Sequence, residues 1–257
     1  MESFRIGAQL YSVRQFCQTE SDFAQTMGRI AATGWRGVQI SAIGPLDPAF
    51  VRKVCDDHGL SIICTHVSFD DMLSNFEAVV EKHRIYGCIY PGLGSMPRHY
   101  YDHGLDSLDV FIHEISDLAR RFENAGMHLL YHNHAQEFQK YDGELLLSRM
   151  MRECNPALQF ELDTYWIQCG GGDPIQWLHG RSADVIHFKD MIGTIDNTPM
   201  ITAIGQGNLN WPGIIQACRE TQVQWAMIEQ DNADQFGDPV DQLAKSFEYL
   251  TELGCRP

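Results

Sequence analysis

The 257-residue sequence contains few basic residues, with 19 Lys and Arg against 34 Asp and Glu and a formal net charge of −15 at pH 7. A surface this acidic repels a phosphate backbone, and no Lys/Arg cluster interrupts it, so nucleic acid is disfavoured as a substrate. No apolar run reaches the roughly 18 residues of a membrane-spanning helix. The first ten residues lack the basic and apolar regions of a secretion signal, and we therefore expect a cytoplasmic protein without membrane contacts.

Disulfide, structural-zinc and nucleotide-binding patterns are also missing. The eight cysteines are scattered without a CxxC pair, and several lie in apolar runs such as SIICTHV (61–67). This usage is typical of reduced, buried thiols in a cytosolic protein. No GxGxxG or GxxxxGK motif follows the first apolar run, which disfavours a doubly wound open sheet.

Short apolar runs alternate with longer amphipathic segments along the whole chain. The segments DFAQTMGRIAATG (22–34) and LDVFIHEISDLARRFENAG (108–126) have the apolar spacing of helices. Eight strand–helix units average about 32 residues each, a normal size for a (β/α)₈ TIM barrel. We therefore predict an α/β fold with one TIM-barrel domain over residues 1–257. The predicted strands are 5–11, 37–41, 61–67, 88–93, 127–133, 157–163, 184–190 and 225–231.

Side chains alternate between the two faces of a strand, so each predicted strand indicates which residues point into the barrel. In ALQFELD, Leu158 and Phe160 share the outer face, whereas Gln159, Glu161 and Asp163 share the inner one. The same alternation places these residues inside: Gly7, Gln9, Tyr11, Cys64, His66, Leu130, His132, His134, Val185, His187, Lys189, Trp225, Met227 and Glu229. Most of these inner faces become polar at the strand's C-terminal end, where barrel enzymes carry their active sites.

Asp163, His187 and Glu229 lie at the ends of the last three predicted strands, and the fifth strand adds the segment YHNHAQEF (131–138) with two histidines and Glu137. A mixed nitrogen and oxygen set of this kind suits Mn²⁺, Zn²⁺, Co²⁺ or Fe²⁺ better than Ca²⁺. Each residue also has a simpler interpretation. Asp163 would then cap the next loop, His187 would be a hydrogen-bonded core histidine, and Glu229 would pair with Lys189.

Five segments, in order, resemble the sugar phosphate isomerase/epimerase family, a group of xylose-isomerase-like TIM barrels that also includes inosose dehydratases, tagatose-type epimerases and endonuclease IV. They are YHNHAQEF, FELDTYWIQCGGGDP, IHFKDM, GQGNLNWPGII and WAMIEQD. The resemblance runs from IGAQLYSVR near the first strand to the last helix. These motifs are specific for the superfamily and say little about the substrate.

The resemblance implies one bound divalent metal ion, Mn²⁺ or Zn²⁺ first, with Co²⁺, Fe²⁺ and Mg²⁺ left open. It implies Asp163, His187 and Glu229 as three ligands. The fourth ligand, usually a Glu in this family, would be His132, with Glu137 as the competing assignment. Two further departures are Gln206, where the family's GEG segment has Glu, and Asn210, where an Asp often precedes Trp.

The family's chemistry implies abstraction of a proton next to a substrate carbonyl, through an enediolate. We expect Glu137 and Glu229 as acid/base groups and His134 and Lys189 as catalytic partners. The expected substrate contacts are Gln9, Tyr11, His66, Glu161 and Trp166. The predicted partner is a small carbohydrate, and a homo-oligomer is left open.

The same residues serve several reactions. The first interpretation is a metal-dependent sugar isomerase or epimerase. A lyase or dehydratase acting on a keto-inositol, keto-sugar or 3-keto-glycoside is the alternative. An endonuclease that cleaves at abasic sites is a remote alternative, because it needs more metal ligands and a basic face, and a non-catalytic binding protein is a further one.

Overall fold

Eight parallel strands, one from each predicted strand segment, surround a common axis in the computed structural model, which describes residues 4–102, 104–180 and 183–257. The other residues of the predicted 1–257 domain lie outside the described residues. The barrel strands are β1 (Arg5–Gln9), β2 (Gly37–Ile40), β3 (Ser61–His66), β4 (Tyr90–Leu93), β5 (Leu130–His132), β6 (Gln159–Glu161), β7 (Val185–Phe188) and β8 (Trp225–Ile228). Each is shorter than its predicted segment.

The strands follow the order β6-β5-β4-β3-β2-β1-β8-β7, so β6 and β7 are the two end strands of this sheet. A single parallel bridge between Asp163 and His187 joins them, and the His187 N–H donates to Leu162 O at 2.9 Å. The barrel is therefore nearly closed, and the predicted TIM-barrel fold is confirmed. Its seam runs through two of the predicted metal ligands.

Helices cover the outside of the barrel. They are α1 (Glu20–Thr33), α2 (Pro48–Asp57), α3 (Phe69–Ser74), α4 (Phe76–Tyr86), α5 (Leu105–Asn124), α6 (Leu146–Glu153), α7 (Thr164–Cys169), α8 (Pro174–Leu178), α9 (Trp211–Glu220) and α10 (Pro239–Glu252). The two long helices predicted from apolar spacing correspond to α1 and α5. Several helices begin at a side-chain cap, as where Asp47 accepts from Phe50 N ahead of Pro48 in α2.

Two small antiparallel hairpins interrupt the repeat. Lys140–Tyr141 pairs with Glu144–Leu145 after β5, and Asp190–Gly193 pairs with Pro199–Thr202 directly after β7. The Asp190 carboxylate fixes the segment that follows the second hairpin, because it accepts from Gly205 N, Gly207 N and the Trp211 indole.

The hydrophobic side chains form two separate groups. Leu130, Val185 and Met227 pack together inside the barrel. Their strand neighbours, including Leu129 and Tyr131, pack outward against the helices. The faces predicted from alternation for β5, β7 and β8 are therefore confirmed.

No helix among the described residues is long and apolar enough to cross a membrane.

Candidate metal centre and active site

Four of the predicted ligands converge at the C-terminal mouth of the barrel. His132 ends β5, His187 lies in β7, and Asp163 and Glu229 follow β6 and β8. One ligand atom from each of the four lies within 4.8 Å of the others. Glu229 has the largest exposed fraction of the four, at only 5%. We call His132, Asp163, His187 and Glu229 the ligand cluster.

The ring of His132 is held with one nitrogen turned away from the cluster and one turned into it. Its Nδ1 lies 3.0 Å from Gly94 O, and its Nε2 lies 3.1 Å from Asp163 Oδ2. A carbonyl oxygen only accepts, so Nδ1 carries a proton and donates. Its Nε2 faces a carboxylate oxygen, an arrangement that a second ring proton or a bound metal ion satisfies.

His187 has the same arrangement with its nitrogens exchanged. Its Nε2 donates to Gln39 Oε1 at 2.7 Å and lies 3.1 Å from Glu161 Oε1, whereas its Nδ1 lies 3.1 Å from Glu229 Oε2. Metal-binding histidines commonly donate their outer N–H to a carbonyl or a carboxylate in this way. The donor set therefore fits a divalent ion held by His132 Nε2, His187 Nδ1 and two carboxylates.

The pKa of His187 reflects the negative charge around its ring. Burial acts to lower the pKa of His187, but the carboxylates of Glu161 and Glu229 raise it to about 10. Without a metal, the ring therefore holds a second proton at neutral pH. A bound divalent ion would take the place of that proton on Nδ1.

Lys189 supplies a permanent positive charge at the cluster. Its Nζ lies 2.8 Å from Glu229 Oε2, 3.2 Å from Asp163 Oδ2 and 3.1 Å from Asp231 Oδ1, and the residue is 1% exposed. Burial acts to lower the pKa of Lys189, but these carboxylates raise it well above its usual range. The lysine therefore stays charged.

Burial alone would raise the pKa values of the two ligand carboxylates, yet both are lowered. Lys189 and the ligand histidines hold the pKa of Asp163 below its usual value and that of Glu229 well below it. Both groups are therefore ionised at neutral pH. Glu161 and Asp231 add two more carboxylates next to the cluster, so one lysine does not balance the negative charge.

Glu161 lies directly below the ligand cluster. Its Oε1 accepts from Gln39 Nε2 at 3.0 Å, and its Oε2 lies 2.8 Å from His66 Nε2. Burial would raise the pKa of Glu161, but His187 and His66 hold it well below its usual range. Glu161 is completely buried and so orients His187 and His66 from beneath the cavity.

A cavity of about 530 Å³ opens above the cluster. The predicted site residues among those lining it are Tyr11, His66, His132, His134, Lys189 and Glu229. This volume lies in the range of small-molecule sites, so the cavity has room for a monosaccharide. Lys189 is the only Lys or Arg among the residues that line it in the described part of the chain.

The residues of the segment YHNHAQEF have different positions in the site. His132 joins the ligand cluster, and His134 lines the cavity, where its buried Nδ1 has no hydrogen-bond partner among the described residues. Asn133 accepts from Asp163 N at 3.0 Å and so positions a neighbouring ligand. Burial lowers the pKa of His134 to about 3, so its ring is neutral.

Glu137 is placed away from the ligand cluster. Its Oε1 accepts from Tyr131 and Tyr101 hydroxyls at 2.6 and 2.8 Å, and its Oε2 accepts from His134 N at 2.7 Å. Tyr131 faces outward from β5, so this carboxylate lies behind the strand. The geometry favours His132 over the competing assignment of Glu137 as a ligand, and it gives Glu137 a positioning task where the sequence indicated a catalytic one.

The other predicted contacts have mixed positions. Gln9 is completely buried, and its Nε2 has no partner among the described residues. Trp166 reaches the site through its neighbours, with its ring 5.1 Å from that of His134 and 5.3 Å from Lys189 Nζ. Asp163 also caps α7, because its Oδ1 accepts from Trp166 N while its Oδ2 faces His132. Asp163 therefore caps the segment after β6 with one oxygen and belongs to the ligand cluster with the other.

Sequence reasoning missed Gln39 and Asp231. Gln39 lies in the predicted strand GVQIS, where alternation would have placed it inside the barrel with Gly37 and Ser41. Asp231 follows Glu229 with the same parity in WAMIEQD. The same alternation that found the ligands therefore indicates both residues.

Comparison with known proteins agrees with this architecture. The family model described as xylose isomerase-like TIM barrel matches residues 27–253. An inosose dehydratase of Lacticaseibacillus casei is 21% identical, over 90% of this chain and 89% of that protein. The names of these and the following relatives are those of enzymes.

Two solved structures show the same fold at low identity. A sugar phosphate isomerase/epimerase from Parabacteroides distasonis is 20% identical with a TM-score of 0.82, covering 97% of this chain and 98% of that one. A D-allulose 3-epimerase from Methylomonas sp. is 13% identical with a TM-score of 0.71, covering 98% of each chain.

Proposed function

Because the chain belongs to the xylose isomerase-like TIM barrel family, we propose that it is a divalent-metal-dependent isomerase or epimerase acting on a sugar or keto-sugar. One observation carries the proposal. The inner nitrogens of His132 and His187 both point at carboxylate oxygens, while their outer nitrogens are occupied as donors. The names of the isomerase/epimerase and D-allulose 3-epimerase relatives support this reaction class.

The ligand cluster would hold the ion, with Mn²⁺ or Zn²⁺ the best match to two nitrogens and two oxygens. When bound, such an ion acts as a Lewis acid towards a substrate carbonyl and makes the neighbouring C–H more acidic. The four ligand residues are almost completely buried, and low exposure of this kind strengthens the charge interactions among them.

Glu229 is the proposed base. It is ionised, it lines the cavity, and both of its contacts to Lys189 and His187 use Oε2, on the cluster side of the carboxylate. It would take the proton next to the carbonyl. Returning that proton to the neighbouring carbon gives isomerisation, whereas epimerisation needs a second acid that protonates the opposite face of the same carbon.

Lys189 and His134 are the proposed partners of that base. Lys189 lines the cavity, and its ammonium contacts Asp163 and Glu229. When these two carboxylates bind a metal ion, the ammonium would be released from them and would then stabilise an oxyanion on the substrate. His134 lines the same cavity with a neutral ring and would contact a substrate hydroxyl. Tyr11 and His66 line the same cavity and would contact other hydroxyls.

A dehydratase is the second candidate, and two observations favour it. The L. casei relative is an inosose dehydratase. In addition, Lys189 and Asp231 form an ion pair on the cavity wall, where a proton donor could assist a departing hydroxyl. The first step, removal of a proton next to a carbonyl, is the same in both reactions.

Cleavage of DNA is not proposed. A phosphodiester substrate needs positive charge along its path, and the described residues that line the cavity include one lysine and no arginine. We propose a small carbohydrate as the partner. We also propose a cytoplasmic location, because the eight cysteines are free thiols.

The test is a screen of keto-sugars, keto-inositols and keto-glycosides in D₂O with added Mn²⁺ or Zn²⁺, followed by NMR. An isomerase or epimerase should leave solvent deuterium on the carbon next to the carbonyl without loss of water from the substrate. A dehydratase should release water and form an unsaturated or diketo product. Exchange by wild type that persists unchanged in His187→Ala, with metal removed by a chelator, would contradict metal-dependent chemistry.

A further inference from the structure

Gln39 connects opposite sides of the barrel interior. It lies in β2, is completely buried, and reaches across the barrel axis to residues of β6 and β7. We infer that Gln39 is a positioning residue that determines which ring nitrogen of His187 faces the metal. This inference rests on the proposed metal site and adds a residue to it.

The direction of the amide is fixed by its two partners. Gln39 Nε2 donates to Glu161 Oε1 at 3.0 Å, and an ionised carboxylate can only accept. Gln39 Oε1 therefore points the other way and accepts from His187 Nε2 at 2.7 Å. This chain of bonds requires a proton on Nε2 of His187, and it therefore leaves Nδ1 as the nitrogen available to a metal.

Glu161 contacts the ring from farther away than Gln39 does. Its Oε1 lies 3.1 Å from His187 Nε2, farther than Gln39 Oε1, and its other oxygen is occupied by His66. Without the amide, Glu161 Oε1 would also lose the N–H that Gln39 donates to it. A ring that turned over would direct Nε2 at Glu229 and leave Nδ1 without its matching acceptor.

Gln39 is a positioning residue and has no contact with the substrate in this account. Both ends of its amide are used inside the protein, and it does not line the cavity. Its effect on the reaction would pass through His187. Partners of this kind behind a ligand are commonly worth 10–100-fold in metal affinity.

The experiment compares wild type with Gln39→Met, which removes both bonds at similar size, and with Gln39→Glu. The Glu variant has the same shape and keeps an oxygen facing His187 when its other oxygen carries a proton directed at Glu161 Oε1. The matched control is Gln242→Met, since Gln242 is also a buried glutamine and donates to Phe236 O away from the site. Zn²⁺ affinity is measured by competition with a chelator. Imidazole ¹⁵N shifts of His187 and solvent exchange of its Nε2 proton are measured by NMR.

Wild type should bind Zn²⁺ through Nδ1 of His187 and show a slowly exchanging Nε2 proton with and without metal. Gln39→Met should bind Zn²⁺ at least about 10-fold more weakly and lose protection of that proton. Gln39→Glu should keep the Nε2 proton and the Nδ1 contact. Gln242→Met should match wild type in both measurements.

Unchanged affinity and unchanged proton protection in Gln39→Met would overturn the inference, and so would an equal loss in Gln242→Met. If Gln39→Met does not fold, loss of the Nε2 proton in Gln39→Glu would overturn it. Failure of wild type to bind Zn²⁺ or Mn²⁺ would instead contradict the proposed function. In that case, protection of the Nε2 proton in the metal-free protein still tests Gln39 by itself.

Discussion

Replacing Lys189 by methionine should destabilise the metal-free protein and make its stability depend on a divalent ion. The ammonium of Lys189 contacts three carboxylates, those of Asp163, Glu229 and Asp231, at 2.8 to 3.2 Å and is almost completely buried. Removing one partner of a buried ionic group costs about 3–5 kcal/mol, because the remaining charges are left unpaired.

This loss of stability should lower the melting temperature of Lys189→Met. For a domain of this size, 1 kcal/mol shifts Tm by roughly 2–4 °C. Lys189→Met should therefore melt about 6–20 °C below wild type in EDTA, if its full destabilisation is realised at Tm. Lys53→Met is the control, because Lys53 forms an exposed ion pair with Asp57 whose removal should change Tm little.

Metal should reverse most of this loss. Without the lysine, a divalent ion meets the same carboxylates and no competing ammonium, so it should bind more tightly and raise Tm by more than in wild type. Differential scanning calorimetry in EDTA and in Mn²⁺ or Zn²⁺ measures both effects. An equal Tm for wild type and variant in EDTA, or a smaller metal-induced rise in the variant, would refute the reasoning.

Three other substitutions test separate parts of the molecule. Glu229→Gln should lower kcat at least about 100-fold at saturating metal with the fold intact, because it removes the proposed base. The value of kcat is measured by steady-state turnover of a sugar that exchanges deuterium with the solvent. Glu137→Gln should instead lower the free energy of unfolding by about 1–3 kcal/mol in urea denaturation, because this buried carboxylate accepts from Tyr131 and the His134 backbone. His83 is buried between Thr65 and Val79 O, and burial lowers the pKa of its ring to about 4. The unfolded chain takes up this proton first as the pH falls, so wild type should lose on the order of 3 kcal/mol of stability between pH 6.5 and pH 4 that His83→Gln does not lose.

Alternation along strands was the most productive rule for predicting the site. It placed His132, Asp163, His187 and Glu229 on the inner face, and parallel strands bring such C-terminal ends to one mouth. The rule depends only on the pleat of a strand, so it holds even where β5 and β6 shrink to three residues each. Applied to β2, it would also have indicated Gln39.

Glu137 shows where the rule stops. It follows β5 in a short 3₁₀ helix, Ala135–Phe138, and strand parity says nothing about a side chain there. The helix turns the carboxylate back towards Tyr131 and the His134 backbone. These contacts depend on how a turn packs against the outside of the barrel.

The hairpin after β7 and the helices α7 and α8 were also not predicted. The last two have six and five residues, too few to show an apolar period of 3.6. The hairpin turn places Asn197 at a φ of 59°, a turn conformation that asparagine tolerates. Its position is fixed by tertiary contacts such as those of Asp190.

Anomalous diffraction from crystals grown with Zn²⁺ is the most direct test of the proposed metal site. We expect one peak at about 2.0–2.2 Å from His132 Nε2, His187 Nδ1 and a carboxylate oxygen each of Asp163 and Glu229, with Lys189 moved away from the shared oxygens. A crystal without a peak at this position, in which Lys189 still contacts Asp163 and Glu229, would contradict the account.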